Sequence, residues 1–162
     1  MRIGVSKLTL RDIPEVLDIS VECGLCLWSA DAYRAEIVRQ DSIMLKLCGP
    51  DEIALGFAVG RIFEYADNEF TVELTNIGLR QAFRGQGFGS ILLKSFLSSC
   101  VTSGADFVIL EVRISNKSAI GFYEKFGFVQ TSRRRGFYID PIEDALTMRL
   151  KLEPRELQKI HT

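Results

Sequence analysis

Apolar and polar positions change period several times along this chain, and each change marks an element. Residues 3–10 alternate as a strand does. Ile13, Val16, Leu17 and Ser20 then recur at helical spacing, which predicts a helix running to about Cys23. Asp12 fits as its N-cap, Glu15 as the capping-box partner three residues on, and Pro14 is tolerated in the first turn. Ser29 fits as the N-cap of a second helix through Arg39. Three strand-like runs follow, at 42–47, 53–63 and 69–79. The turns between them, Gly49-Pro50-Asp51 and Ala66-Asp67-Asn68, are short, which predicts an antiparallel meander.

The third of these strands runs through a glycine-rich turn into a helix marked by Ile91, Leu92, Ser95 and Phe96. Residues 105–112, ADFVILEV, are nearly all apolar, as in a strand covered on both faces, and the preceding helix supplies the crossover for parallel pairing. Ser115 or Asn116 can cap the next helix, which carries Ala119, Tyr123 and Phe126 on one face and stops at Gly127. Strands at about 128–132 and 145–152 complete the pattern. The segment 154–162 is polar and reads as a short helix or a loose tail. The expected fold is therefore α+β: one domain over residues 1–152, with a mixed, mostly antiparallel sheet of about seven strands and helices on both faces, and a tail over 153–162.

Composition narrows the classes without naming one. The 162 residues are 47% hydrophobic and 25% charged, which suits one globular domain with a real core. A net charge of −1 gives no overall footprint for nucleic acid. The start lacks the pattern of a signal peptide and no run is long enough to span a membrane, so the expected location is the cytoplasm. Of four cysteines, Cys23 and Cys26 form a CxxC while Cys48 and Cys100 stand apart, and the only histidine is His161. That set does not make a zinc site, and the CxxC falls late in a helical stretch rather than at a helix start. Free thiols and no metal are expected.

The glycine turn holds the clearest chemistry. Arg84, Gly85, Gln86, Gly87, Phe88, Gly89 and Ser90 stand where a strand gives way to a helix. Glycines let a ligand approach the backbone, and the unpaired N–H groups and dipole of a helix start favour an anion, here a pyrophosphate. A nucleoside-triphosphate loop would end in Gly-Lys-Ser/Thr, and no lysine follows these glycines. The dinucleotide fingerprint is nearly met by Gly85, Gly87 and Ser90, with Glu111 where the ribose-binding acid falls. That fold, however, begins with such a unit rather than placing it after a strand-rich segment.

Arg84, Gly87 and Gly89, in the spacing Arg-x-x-Gly-x-Gly directly after a strand, resemble the coenzyme A site of the GNAT N-acetyltransferases. The strings LEVRISNKSAIGFYEKFGF and EDALTM, with the Trp28-Ser29 pair, resemble the ribosomal-protein-alanine N-acetyltransferases within that superfamily. The resemblance implies acetyl-CoA as co-substrate and a protein N-terminus, a ribosomal protein among the candidates, as acceptor. It implies Glu111 as general base and Tyr123 as acid. It also implies a coenzyme site of Ile77, Gly78, Leu79, the 84–90 turn and Asn116, with Trp28 and Tyr138 on the acceptor side. Two positions depart from the family pattern: Leu27 stands where proline is usual before Trp-Ser, and Phe137 precedes Tyr138 where two tyrosines are usual.

The chemistry also follows from the residue types. A protein α-amine has a pKa of about 7.7–8.0, so roughly a tenth is neutral at pH 7, whereas a lysine at about 10.4 is neutral less than one part in a thousand. Such an amine needs only modest help to attack a thioester, and a carboxylate ending an apolar strand, such as Glu111, can give it. Tyr123 would protonate the departing sulfur. Structural alternatives stand beside these roles. Glu111 could neutralise Arg113 on the same strand face, Tyr123 could be a core aromatic, and Trp28 could staple the first two helices. The Arg133-Arg134-Arg135 run is either a guide for an acidic surface or a solvated face. An acetyltransferase for a small amine, and a non-catalytic acyl-CoA-binding module, are the other functional classes.

Overall fold

The computed structural model describes residues 3–153; the tail at 154–162, with His161, lies outside them. Seven strands form one sheet in the order β1-β2-β3-β4-β5-β7-β6. They are β1 (Gly4–Lys7), β2 (Ser42–Cys48), β3 (Ala54–Glu64), β4 (Phe70–Leu79), β5 (Phe107–Arg113), β6 (Val129–Ile139) and β7 (Ile142–Lys151). Helices α1 (Ile13–Glu22) and α2 (Ala30–Ile37) cover one face, packing Ile13, Val16, Ile19 and Tyr33 onto Phe57 and Val59 of β3. Helices α3 (Phe88–Thr102) and α4 (Lys117–Lys125) cover the other, burying Leu92, Leu93, Phe96, Ile120 and Tyr123. Burying a side chain such as Phe96 contributes roughly 1.5–3 kcal/mol. Gly60 makes room for it, since a Cβ there would lie 2.5 Å from the Phe96 ring.

The antiparallel meander and the parallel crossover expected from the sequence are both present. β1 through β4 pair antiparallel, and β4 pairs with β5 in parallel. That parallel pairing covers only Thr71 to Leu74 against Phe107 to Leu110. Beyond it β5 continues its bonds to β7, and the far half of β4 has no strand on that side among the described residues. The sheet therefore opens between β4 and β5.

Three local readings are corrected. The first strand ends at Lys7, and a 3-10 turn takes up Leu10–Asp12. Asp12 does not cap α1 with its side chain. Its carboxylate accepts from the Thr9 amide and hydroxyl at 2.7 and 2.8 Å and from Lys46 Nζ at 2.7 Å, while Glu15 accepts from the Ala54 amide. Burial works against ionisation of Asp12, but the lysine and Thr9 bonds outweigh it and hold its carboxyl below the usual value. The third correction concerns β6, which runs to Ile139 rather than Ser132 and makes a long hairpin with β7. This edge strand is exposed almost throughout, so neither face carries an apolar alternation to read. By contrast, the Ser29 cap of α2 stands as expected, accepting from the Ala32 amide at 3.1 Å.

Candidate active site

The opening between β4 and β5 continues as a cleft of about 700 Å³ from the glycine turn to Tyr138. At one end Gly87, in the left-handed region at φ 84°, is the N-cap of α3. Gly85 is also left-handed at φ 72°, and a Cβ at either position would meet no protein atom within 4 Å. None of the backbone N–H groups from Gly85 to Ser90 has an acceptor among the described residues. The result is an open cradle of donors at a helix start, the arrangement that suits a phosphate.

The turn residues do not all face the ligand space. Gly85, Gly87, Gly89 and Ser90 line the cleft. The Gln86 side chain instead donates to the Ala82 carbonyl, and the Phe88 ring packs on Phe83 at 6.2 Å. Arg84 lines the cleft but folds back, donating to the Leu79 carbonyl at 2.9 Å and lying 3.3 Å from Cys23 Sγ. Ile77, Gly78 and Leu79 form the adjoining wall along the unpaired side of β4. Across from them Asn116 caps α4, its Oδ1 accepting from the Ala119 amide at 3.1 Å, and also lines the cleft.

Glu111, Tyr123 and Tyr138 meet at the other end. Glu111 does not pair with Arg113; its Oε1 lies 2.5 Å from Arg134 of β6, an exposed arginine. Arg113 donates instead to the carbonyls of Asp140 and Pro141 and sits over the Tyr138 ring at 4.2 Å. It thereby ties the β6–β7 turn to the end of β5. Tyr123 is a core aromatic in its ring, wedged against Phe122 and Phe128, yet it reaches the cleft. Burial pushes its phenol well above the ordinary value, so it keeps its proton through the physiological range. Tyr138 is also raised, first by burial and then by the nearby Glu111 charge. It belongs to β6 rather than to a loop.

Trp28, like Gln86 and Phe88, is an expected residue that does not line the cleft. Its ring packs on Tyr33 at 5.3 Å within the α1–α2 core. That is the stapling role. The sequence reading missed Cys23, Cys26, Asn76 and Phe122, all in the cleft wall, and Arg134 on Glu111. The cysteines are free thiols, and no three potential metal ligands gather among the described residues. The arginine run divides its work. Arg133 pairs with Asp144 at 2.6 Å, Arg134 with Glu111, and Arg135 is exposed.

One substitution tests the cradle. Valine at Gly87 would strain the left-handed backbone by about 1–2 kcal/mol and fill the space a ligand needs. Coenzyme A binding, measured by calorimetry, should weaken about ten-fold or more, by the loss of charge-assisted hydrogen bonds to the loop. Unchanged affinity in the folded variant would rule out the turn as the coenzyme site.

Comparison with known proteins supplies the wider frame. The sequence model of the acetyltransferase (GNAT) family matches residues 13–128. The [ribosomal protein bS18]-alanine N-acetyltransferase of Escherichia coli K12 is 37% identical over 150 residues, covering 91% of this chain and 97% of that one. By superposition, the crystal structure of the ribosomal-protein-S18-alanine N-acetyltransferase from Escherichia coli matches with a TM-score of 0.81 at 27% identity, over 94% of this chain and 95% of that one. Arabidopsis thaliana NAA60 in complex with acetyl-CoA matches with a TM-score of 0.82 over 93% of this chain and 100% of that one. At 16% identity that likeness is one of fold.

Proposed function

This chain belongs to the acetyltransferase (GNAT) family, and on that footing we propose that it transfers the acetyl group of acetyl-CoA to the N-terminal α-amine of a protein, a ribosomal protein being the favoured acceptor. The reading rests on one observation above all. A single cleft has an open cradle of backbone donors at one end and Glu111, Tyr123 and Tyr138 at the other, joined by the unpaired side of β4. The relative from Escherichia coli, which modifies the alanine of a ribosomal protein, supports the choice of acceptor.

In this reading the pyrophosphate sits on the amides of Gly85 to Ser90. The pantetheine arm lies along Ile77 to Leu79, whose backbone N–H and C=O groups serve it as a neighbouring strand would. Asn116 approaches the arm from α4. The thioester then reaches Glu111 and Tyr123. The α-amine attacks the thioester carbon directly, Glu111 takes a proton from the nitrogen, and Tyr123 gives its proton to the departing sulfur. A backbone amide of β4 facing the thioester oxygen would stabilise its developing charge. Arg134 is no barrier to proton transfer at Glu111, because a pair with so exposed an arginine is worth little and yields easily.

The test is a screen with labelled acetyl-CoA against peptides beginning with alanine or serine, lysine peptides and small amines. The α-amine peptides should be acetylated at least about ten-fold faster than either other class, as their larger neutral fraction requires. Tyr138→Phe removes one hydroxyl from the acceptor end. It should raise the peptide KM several-fold, as for one lost hydrogen bond, and leave the KM for acetyl-CoA in place. Preference for a small amine, or equal changes in both constants, would overturn the acceptor assignment.

A further inference from the structure

Behind the cleft wall lies a short chain of buried polar groups whose direction can be read from its far end. Ser20 of α1 gives its one hydroxyl proton to the Val16 carbonyl, 2.8 Å away. Its oxygen also lies 3.2 Å from the Tyr33 hydroxyl. With the serine proton committed, tyrosine is the donor in that contact, and its oxygen keeps lone pairs to offer. The side-chain amide of Asn76 lies beside that hydroxyl. An amide beside an acceptor presents its NH2, which turns Nδ2 toward Tyr33 and Oδ1 toward the cleft that Asn76 lines. Asn76 is 4% exposed, and its Nδ2 is buried with no partner at hydrogen-bonding distance among the described residues. A leucine would fill the same space without an unmet donor, so packing gives no reason for an amide here.

The backbone explains why Asn76 faces this way. Val59 of β3 pairs with Asn76 and Gly60 with Leu74, which leaves Thr75 unopposed. One extra residue in a strand moves the side chains beyond it to the other face. Leu74 accordingly packs in the core beneath α3, whereas a side chain at Gly78, two residues past Asn76, would meet Ile19, Cys23 and Leu25. On the opposite wall Leu110 and Val112 pack on the α3 side, so Glu111 between them points to the same face as Asn76. Leu74 and Leu110 are the last parallel partners, so the two polar side chains flank the point where the sheet opens.

We infer that Asn76 positions the acceptor amine, a role that rests on the N-terminal acetyltransferase reading. A neutral primary amine attacking a thioester carries a lone pair and two N–H bonds. As the C–N bond forms and the C–S bond breaks, one nitrogen proton passes to Glu111 and the sulfur takes a proton from Tyr123. The other N–H remains on the product amide. Asn76 Oδ1, a neutral acceptor with negligible basicity, holds that second N–H without removing it and so aims the lone pair at the thioester carbon. Carboxylate and amide thus grip the same nitrogen from opposite walls, one to take a proton and one to keep a proton in place. The group recognised is a primary α-amine.

Two variants separate this role from a structural one. Asn76→Leu removes Oδ1 and should lower kcat/KM for an alanine-first peptide about ten-fold, the effect of one hydrogen bond, with calorimetric affinity for coenzyme A unchanged. Asn76→Asp keeps the shape but sets a negative charge beside the amine. The bound amine then holds its proton more tightly, and the rising limb of kcat against pH should move up by roughly one unit. A peptide beginning with N-methylalanine lacks the second N–H. The parent should use it about ten-fold less well, and Asn76→Leu should impose no further loss. The role is overturned by an unchanged peptide kcat/KM in Asn76→Leu, by a parallel fall in coenzyme affinity, or by an unmoved limb in Asn76→Asp. A parent protein that acetylates amines but no peptide overturns the acceptor reading as well, whereas peptide activity untouched by either variant overturns this role alone.

Discussion

Glu111→Gln is expected to reduce acetylation of a peptide α-amine near neutral pH by roughly 10²–10⁴-fold, the range for a lost general base. Glutamine keeps the size and a hydrogen-bonding oxygen but has no useful proton affinity. The loss should shrink as the pH is raised toward 9, because hydroxide then takes up the nitrogen proton that Glu111 no longer accepts. Steady-state rates with saturating acetyl-CoA at several pH values would show this as a steeper rise with pH than the parent has. The contact with Arg134 sets the competing outcome. If Glu111 serves only to hold that arginine, Glu111→Gln should keep nearly the parent rate and the parent pH profile, and Arg134→Ala should mimic it.

Tyr123→Phe should have the second largest effect, and one of a different form. The phenol is buried, its proton affinity is raised by that burial, and it lines the cleft. Phenylalanine keeps the packing against Phe122 and Phe128 but removes the one donor assigned to the departing sulfur. A loss of about 10²-fold is expected, the low end for acid–base catalysis, because a thiol pKa near 8.5 makes the thiolate a fair leaving group unaided. Raising the pH cannot supply the missing donor, so activity should stay depressed where Glu111→Gln recovers. A Tyr123→Phe enzyme with the parent rate and an unaltered melting temperature would mean that the hydroxyl takes no part and the ring alone explains the residue.

These expectations differ in how far the sequence supports them. Periodicity was enough for the meander, the parallel crossover and the covering helices, because each buries a regular face against its neighbour. The glycine turn was equally legible, since left-handed backbone at Gly85 and Gly87 and a helix start at Phe88 are local properties. Glu111 and Tyr123 could be singled out from local strings, but not their surroundings. The ion pair joins Glu111 to Arg134 rather than to Arg113, two residues along. The choice depends on β6 lying beyond β7, an arrangement made by chain pairing at long range. The exposed β6 had no apolar alternation to announce it, so Tyr138 was read as a loop residue although it belongs to the last part of that strand, with Arg113 against its ring. Trp28 was placed near the acceptor by a local string, and packing moved it onto Tyr33 instead. Asn76 was hidden most completely. A strict alternation puts it on the same face as Leu74, and only the unopposed Thr75 turns it to the other side. One-dimensional pattern thus determined the elements and the left-handed glycine turn at the start of α3, whose causes lie within a few residues of chain. Which side chains share the far end of the cleft was decided in three dimensions, by strand order, by one bulge and by the packing of α1 against α2.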